Sequence, residues 1–545
     1  MRKILGAAIG SCVHVAGLFN FLKLAENEGY KTIYLGGAVD LDKLVGAIIE
    51  SDPDIVAISY RLDPKALEKL LKELEKRLKD NGLLNRIYVF GGTVETGSVA
   101  KKFKFISRVF DGTQEIEDVI LWLRNAEVKK KKSKLPPQSL PERVKYKSPF
   151  PLIRHHIGLP TLEETEEHIK TLADSGLLDI ISLAPDQNCQ QYFFEPEKMD
   201  KKQDGAGGAP IRSIEDFKKL YNATRRGNYP LMRSYSGTRN LVEFSKILKE
   251  TINNAWAAIP LSWYSDLDRR SDRDLLSAIR ENQQAIRWNA ENNVPVEINE
   301  AHQWALRYAH DAMEVATFYL SAYNAKKLGV RHYVAQYMLT TPPGLSPKFD
   351  LAKQIAKKEL IETLHDDSFV SYTMIRTGLL SFPADENAAM GQLVSTMFYG
   401  MYLKPDILHI VSYSEAIRRA TSKEIIESVK MVKQAMRNAM FGLPDLLSDK
   451  EIKNRVEKLK NEAMIIIQAI KELGKSFKDP LIEPEVIFNA IKLGILDAPG
   501  LKGMSVAKAR FDTRIINGAC FAVDDQGKIL DEEERIKLIK KEAGI

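Results

Sequence analysis

The groups in this chain best suited to chemistry are one imidazole near its start and a few arginines and carboxylates farther on. His14 stands in Ser11-Cys12-Val13-His14-Val15-Ala16-Gly17, directly after the apolar run Ile4-Leu5-Gly6-Ala7-Ala8-Ile9. That run reads as a buried parallel strand, and Leu18–Gly29 reads as a helix. His14 is therefore expected on the loop at the carboxyl end of a first strand, where open α/β sheets hold their ligands. An imidazole there can ligate a metal; the alternatives are packing or a contact to a phosphate. Arg154 and Arg233 fall at the ends of expected strands. A guanidinium so placed grips a carboxylate through two parallel hydrogen bonds. Arg212 and Arg239 read instead as surface or ion-paired arginines. Ser262-Trp263-Tyr264-Ser265-Asp266 offers aromatic and polar lining for a pocket. Glu300-Ala301-His302 is a possible acid–base pair, balanced by a capping or core role. Glu415 follows another expected strand, and Gln336 and Tyr337 follow Val330–Ala335.

The elements that must position these groups fall into three stretches. Residues 1–127 alternate short apolar strands (Lys3–Ala8, Thr32–Leu35, Ile55–Ser59, Arg86–Phe90, Ser107–Phe110) with amphipathic helices. This pattern predicts an α/β, doubly wound, flavodoxin-like parallel sheet. Gly36-Gly37 and Gly91-Gly92 lie at strand ends, where glycine admits close approach of a ligand. A plain regulatory domain would use the same glycines for turns. Residues 128–148, with Lys129-Lys130-Lys131-Lys132 and Leu135-Pro136-Pro137, read as an exposed, semi-rigid linker. Residues 149–545 alternate again, with strand-like pieces at Asp179–Leu183, Pro230–Ser234, Ala258–Trp263, Pro295–Asn299, Val330–Ala335, Val370–Thr373 and Ile407–Val411. About eight such units predict a β/α (TIM-type) barrel, followed by a C-terminal extension.

Length and composition exclude several classes. With 545 residues the chain exceeds one ordinary core. Hydrophobic residues at 44% and charged residues at 28% are a globular balance. No run of about 18 apolar residues suggests a membrane span, and the opening strand is too short for a signal peptide. Cys12, Cys189 and Cys520 are too far apart for a disulfide framework or a zinc pattern, which leads us to expect a reducing cytoplasm. A net charge of +6, partly carried by the linker, does not suggest nucleic acid as a partner.

Cys12-Val13-His14-Val15-Ala16-Gly17 resembles the Asp-x-His-x-x-Gly signature of base-off cobalamin-binding domains. The family's Ser-x-Leu and Gly-Gly fall at Ser59-Tyr60-Arg61 and at Gly91-Gly92, followed by Thr93, and Asp111-Gly112-Thr113 looks like its closing Gly-Thr. The resemblance implies cobalamin as cofactor, with His14 on the cobalt. It implies that Cys12, Gly17, Ser59, Gly91, Gly92, Thr93, Gly112 and Thr113 lie around the cofactor. Cys12 stands where the family has an aspartate that orients the histidine, and Arg61 where it has leucine.

Residues 149–523 resemble, more distantly, the barrel subunit of the glutamate mutase (methylaspartate mutase) family. The resemblance rests on Ile153-Arg154, on Pro230-Leu231-Met232-Arg233 with Gly237-Thr238, and on Gly494-Ile495-Leu496-Asp497-Ala498-Pro499 with Ser505-Val506-Ala507-Lys508. It implies both subunit types of that family fused in one chain, with the barrel mouth capping the corrin. It further implies adenosylcobalamin as the most suitable form, Arg154 and Arg233 on a small carboxylate substrate, and Glu415 beside the adenosyl group. From their position after an expected strand, and not from the resemblance, Gln336 and Tyr337 are expected to face the corrin. The family's lysine before Glu415 is absent, and its acid for a substrate amine is replaced near Asn254. The resulting expectation is a cobalamin-dependent carbon-skeleton isomerase working by radical rearrangement, as a possible homodimer. A corrinoid methyltransferase and a non-catalytic cobalamin-binding protein are the alternatives.

Overall fold

The computed structural model describes residues 2–125 and 135–544. The chain divides into two units, Met1–Lys134 and Leu135–Ile545. Among the described residues no helix is long and apolar enough to cross a membrane.

In the first unit β1 (Lys3–Ala8), β2 (Lys31–Tyr34), β3 (Ile55–Tyr60), β4 (Ile87–Gly92) and β5 (Ile106–Phe110) make one parallel sheet in the order β2-β1-β3-β4-β5. The helices α1 (Ala16–Asn27), α2 (Leu41–Ser51), α3 (Pro64–Asp80), α4 (Val94–Ala100) and α5 (Ile116–Asn125) alternate with the strands. β3 is buried along its whole length, which is why it is a continuous apolar run. α3 buries Leu67, Leu71, Leu74 and Leu78, one stripe at helical spacing, and turns its charges outward. Its start is fixed by Asp63, whose side chain accepts from the Ala66 N–H, and by Pro64 in the first turn. Strand order changes direction between β1 and β3, so the crevice at their carboxyl ends is the switch point of the sheet.

In the second unit eight parallel strands run in sequence order around a nearly closed barrel: β6 (Leu152–Ile157), β7 (Ile180–Leu183), β8 (Leu231–Ser234), β9 (Ala257–Ile259), β10 (Val296–Ile298), β11 (His332–Leu339), β12 (Val370–Thr377) and β13 (Ile407–His409). β13 pairs with β6, and the parallel bridge Tyr235↔Ala258 joins the β8 and β9 edges. The expected strand Ala258–Trp263 stops at Ile259, immediately before Pro260, and leaves Trp263 on a loop.

The stretch expected as linker is only partly open to comparison, since 126–134, which include the lysine run, lie outside the described residues. Its later part is a helix, α6 (Leu140–Lys147), and not an exposed spacer. Leu140 is 1% exposed and joins Leu152, Ile180, Leu231, Trp256, Val334, Met374 and Ile407 in one core cluster. α6 thus plugs the amino-terminal end of the barrel, and Arg143 ties it there by donating to the Pro137 and Tyr229 carbonyls. Prolines and lysines around Leu140 and Val144 hide this apolar pair in the sequence.

The C-terminal extension packs outside the barrel. Its helix Lys450–Leu473 lies against the helices Asp311–Lys327 and Pro347–Glu362, and Arg455 reaches Asp311 at 2.8 Å.

Candidate functional site

The barrel lumen follows from strand alternation. Side chains two residues apart share a face, and the inward positions Leu152, Ile180, Leu231, Val334, Met374 and Ile407 form the apolar floor. Two residues farther along each strand the same face carries Arg154, Ser182, Arg233, Gln336, Arg376 and His409. Branched apolar side chains fill most such barrels. Here polar and charged groups surround a cavity of about 500 Å³.

Arg154 is buried and bonded only to neutral groups. Its Nε donates to Ser182 Oγ at 2.6 Å, its Nη2 lies 2.9 Å from His156 Nε2, and its Nη1 lies 3.1 Å from both His409 Nδ1 and Met374 Sδ. His156 Nδ1 and His409 Nε2 are 3.1 Å apart. Two neutral imidazoles that share one hydrogen bond keep a single lone pair for the guanidinium. Gln336 Oε1 lies 3.2 Å from His409 Nδ1, and Tyr235 Oη lies 2.8 Å from His156 Nε2. The Gln336 amide nitrogen lies 3.2 Å from His302 Nδ1, and the Gln303 amide nitrogen lies 3.4 Å from His302 Nε2. Burial, reinforced by the nearby arginine charges, holds His156, His302 and His409 well below the usual imidazole range, so all three are neutral.

Arg233 is 1% exposed, and none of its three guanidinium nitrogens has a hydrogen-bond partner. Arg376, which also lines the cavity, has a buried Nε without a partner. One carboxylate inside the lumen offsets these charges: Glu297, whose Oε2 accepts from Trp256 Nε1 at 2.7 Å. Arg270 stands at the rim, 3.7 Å from Asp268.

The structure thus brings Arg154, Arg233 and Gln336 into one chamber, with Tyr264 and His302 beside them. Glu415 is not part of the cavity wall. Its Oε1 accepts from the Ser412 N–H at 3.0 Å and lies 3.2 Å from His155 Nε2. Burial raises the Glu415 carboxyl, but the hydrogen bond and charge of His155 outweigh it and the net shift is downward. Glu300 braces the loop after β9, accepting from the Leu261 and Ser262 N–H groups and from Trp304 Nε1. Trp263 packs on Trp304, and Tyr337 turns away from the lumen to pack on Phe318. Arg212 pairs with Asp186 and Asp204, and Arg239 with Asp272, as surface arginines do. Asn254 lies low in the barrel and accepts from the Ser234 N–H at 3.3 Å. Sequence reasoning passed over Arg376, His156, His409 and Glu297. Their signal was a polar residue at an inward position of an apolar strand.

In the first unit the parallel register places Ala8 beside Ser59, Ser59 beside Gly91, and Gly91 beside Phe110 at the carboxyl edge. The loop after β1 is tied to the end of β2 by the Ala38 N–H donating to the Cys12 carbonyl at 2.8 Å. Cys12 is 0% exposed, within the hydrophobic core, and His14 is exposed. Gly17 lies in the first turn of α1, where an added Cβ would meet open space. Gly92 is held by packing, since a Cβ there would come within 2.8 Å of the Tyr60 carbonyl oxygen. Thr93 caps α4, and Thr113 donates to Asp111 Oδ1 at 2.6 Å beside Gly112, whose φ is 84°. These three residues shape turns.

Residues 2–109 match the B12 binding domain family. The chain therefore carries a B12-binding domain at its start. No curated protein matches the chain. Among solved structures it is similar to a cobalamin-binding protein from Desulfitobacterium hafniense DCB-2, at 27% identity, covering 20% of this chain and 52% of that one, with a TM-score of 0.18. That match spans about half of the other protein. It is also similar to the cobalamin-dependent S-adenosylmethionine radical enzyme OxsB, at 12% identity, covering 90% of this chain and 70% of that one, with TM-scores of 0.19 for the apo form and 0.17 for the form with aqua-cobalamin bound.

The edge of the B12-binding domain fits such a cofactor. Around Gly91 the nearest atom to an added Cβ is the Phe110 carbonyl oxygen at 4.0 Å, so a side chain would fill space that a cofactor tail can take. His14 lies on the loop between β1 and α1 and is exposed. Among the described residues no cluster of three or more His, Cys, Asp or Glu has the geometry to hold a metal ion unaided.

Proposed function

We propose that the protein is a cobalamin-dependent carbon-skeleton isomerase of the glutamate mutase type, acting on a small carboxylate within the barrel lumen. The observation that carries this reading is Arg233: a guanidinium 1% exposed, with three unpartnered nitrogens, on the wall of a cavity in a chain that also has a B12-binding domain. A buried cation without a partner is costly and marks a place where an anion completes the site.

In this reading His14 would ligate the cobalt, and Ser59 and Gly91 would border the cofactor's tail. Adenosylcobalamin, when bound, supplies hydrogen-atom abstraction and return. Arg233 grips the substrate carboxylate through parallel hydrogen bonds. Arg154 adds positive charge beside it, and His302 borders the same cavity. The Arg154–His156–His409–Gln336 bonds fix these donors before the substrate arrives, so little reorganisation is needed at the moment of reaction.

The test is turnover by the full chain with adenosylcobalamin on a panel of small carboxylates, with products read by NMR. We expect a rearranged isomer of unchanged mass, and a loss of kcat/KM on the order of a hundredfold in Arg233→Met, as for truncating one side of a buried charge pair. A product methylated from methylcobalamin would replace this reading with methyl transfer. Absence of turnover in both cases would end it in favour of a binding protein.

A further inference from the structure

A second cavity, of about 370 Å³, opens at the amino-terminal end of the barrel. Its walls are the start of α6, the ends of the helices Leu241–Ile252 and Leu275–Glu291, and the residues leading into β9, β10 and β11. It shares no residue with the lumen wall. Leu140 and Ala255 border it and also belong to the apolar cluster that floors the barrel, so that layer separates the two spaces. Barrel enzymes keep their chemistry at the carboxyl ends of the strands, and this cavity lies at the other end.

Its wall holds two cations, Lys249 and Arg331, and no aspartate or glutamate. Arg331 is exposed and makes no side-chain hydrogen bond or ion pair among the described residues. Lys249 donates to Asn292 Oδ1 at 3.0 Å and lies 6.0 Å from the Trp288 ring, again with no ion pair among the described residues. His332 on the same wall is pushed down by burial and by Arg331, so it adds no charge at neutral pH. The start of α6 contributes its partial positive charge. Its N-cap, Ser139, makes no side-chain capping bond and turns to Glu142 Oε2 at 2.8 Å, so no side chain caps the first backbone N–H groups of the helix. Asn254 is buried, 7% exposed, and its Oδ1 accepts from the Ser234 N–H at 3.3 Å. That bond fixes which way the amide lies, and Nδ2 then has no partner among the described residues. A buried donor on a cavity wall with nothing to donate to marks a place where a ligand's acceptor completes the site.

We propose that this cavity is a second binding site, for a phosphate monoester of a small neutral polyol. A phosphate dianion matches the two cations in charge, and its three oxygens take up more of the donors from Arg331, Lys249, Asn254 and α6 than the two oxygens of a carboxylate can. The volume exceeds what a phosphate group needs and falls in the range of small-molecule sites, about 300–1,000 Å³. The rest of the wall is carboxamide and apolar, with Asn253, Asn293, Val294 and Pro295, which suits hydroxyls on a carbon skeleton and offers nothing to a second ionic group.

The experiment is calorimetric titration of the full chain at fixed ionic strength with ribose 5-phosphate, ribose and inorganic phosphate as probes. Ribose 5-phosphate should bind at least about tenfold tighter than ribose, the scale of one charge-assisted pair, and tighter than inorganic phosphate. Arg331→Gln, at an exposed residue without a partner, should leave the melting temperature of the free chain unchanged and weaken ribose 5-phosphate at least about tenfold. Asn254→Asp keeps the acceptor for Ser234, puts a negative oxygen in place of the free donor, and should abolish binding of the ester. Should that variant not fold, Arg331→Gln decides alone. Arg233→Met, in the lumen, should leave the ester bound as in the parent chain. Binding lost in Arg233→Met and kept in Arg331→Gln would put the anion in the lumen and overturn the proposal. Equal affinity for ribose and its phosphate, or no binding of either, overturns it as well. Inorganic phosphate bound as tightly as the ester would overturn the assignment of an esterified ligand.

Discussion

Arg154 and Arg233 share one indole: their guanidinium carbons lie 5.2 and 5.4 Å from the ring of Trp256. The π face attracts both cations and offsets part of their repulsion. The same side chain donates from Nε1 to Glu297 Oε2, which fixes the lumen's counter-charge. Trp256→Phe keeps a ring and removes the donor, leaving a buried carboxylate oxygen unsatisfied. We expect a loss of roughly 1–3 kcal/mol in chemical denaturation. An unchanged midpoint would show that the indole N–H does not hold Glu297.

The lumen imidazoles give a pH signature. His156, His302 and His409 are all held well below their ordinary range by burial. A histidine with a depressed folded value contributes stability that is complete above its unfolded pKa of about 6.5, and loses it as pH falls, because the unfolded chain takes up the proton first. Denaturation midpoints should therefore fall between about pH 7 and pH 5. The fall should be shallower in His409→Asn, which removes one titrating site. Parallel profiles for the two proteins would place the pH dependence elsewhere.

The last helix, Glu532–Ala543, is pinned at Glu532, which lies 2.5 Å from His310 Nε2 and accepts from Arg535 Nε at 2.9 Å. Burial would raise this carboxyl, but the charges and hydrogen bonds of Arg535 and His310 outweigh it and hold it at about 2. A depressed carboxylate stabilises above its unfolded pKa of about 4.3, and the contribution, on the order of 3 kcal/mol, is lost as pH falls toward 2. Glu532→Gln should cost a similar amount at pH 7 and expose this helix to proteolysis. A helix equally protected in both proteins would sink this account of its anchoring.

α6 closes the barrel floor through Leu140, which touches the lowest layer of strand residues. Leu140→Ala should destabilise by about 2–5 kcal/mol, the range for deleting a buried leucine. A loss under about 1 kcal/mol, measured by denaturant unfolding, would mean that the helix is peripheral.

Much of the fold was legible in the sequence because buried parallel strands are apolar runs between helices of clear period. β1, β3 and β5 fall within one residue or so of the expected strands. β6 was less visible because Arg154, His155 and His156 interrupt its apolar character, and α6 was hidden by its prolines and lysines. The barrel site was half legible. Arg233 lies near the end of β8 as expected, whereas Arg154 lies within β6 and not at its end, and Gln336 lies in the same lumen. That Arg376 shares this lumen with Arg233 depends on ring closure between β8 and β9, which no local pattern encodes. Glu415 reads like a site residue from its strand-end position, yet the side chain turns to His155. Cys12 aligns with a ligand-orienting position, yet its thiol is packed in the core.

The most direct test of the central claim is the absorbance spectrum of cobalamin bound to the full chain. If His14 ligates the cobalt, the parent protein binds the cofactor in its base-off form, and His14→Ala loses the imidazole-ligated spectrum while retaining its fold by circular dichroism. A bound cofactor whose spectrum is the same in the two proteins would contradict the account.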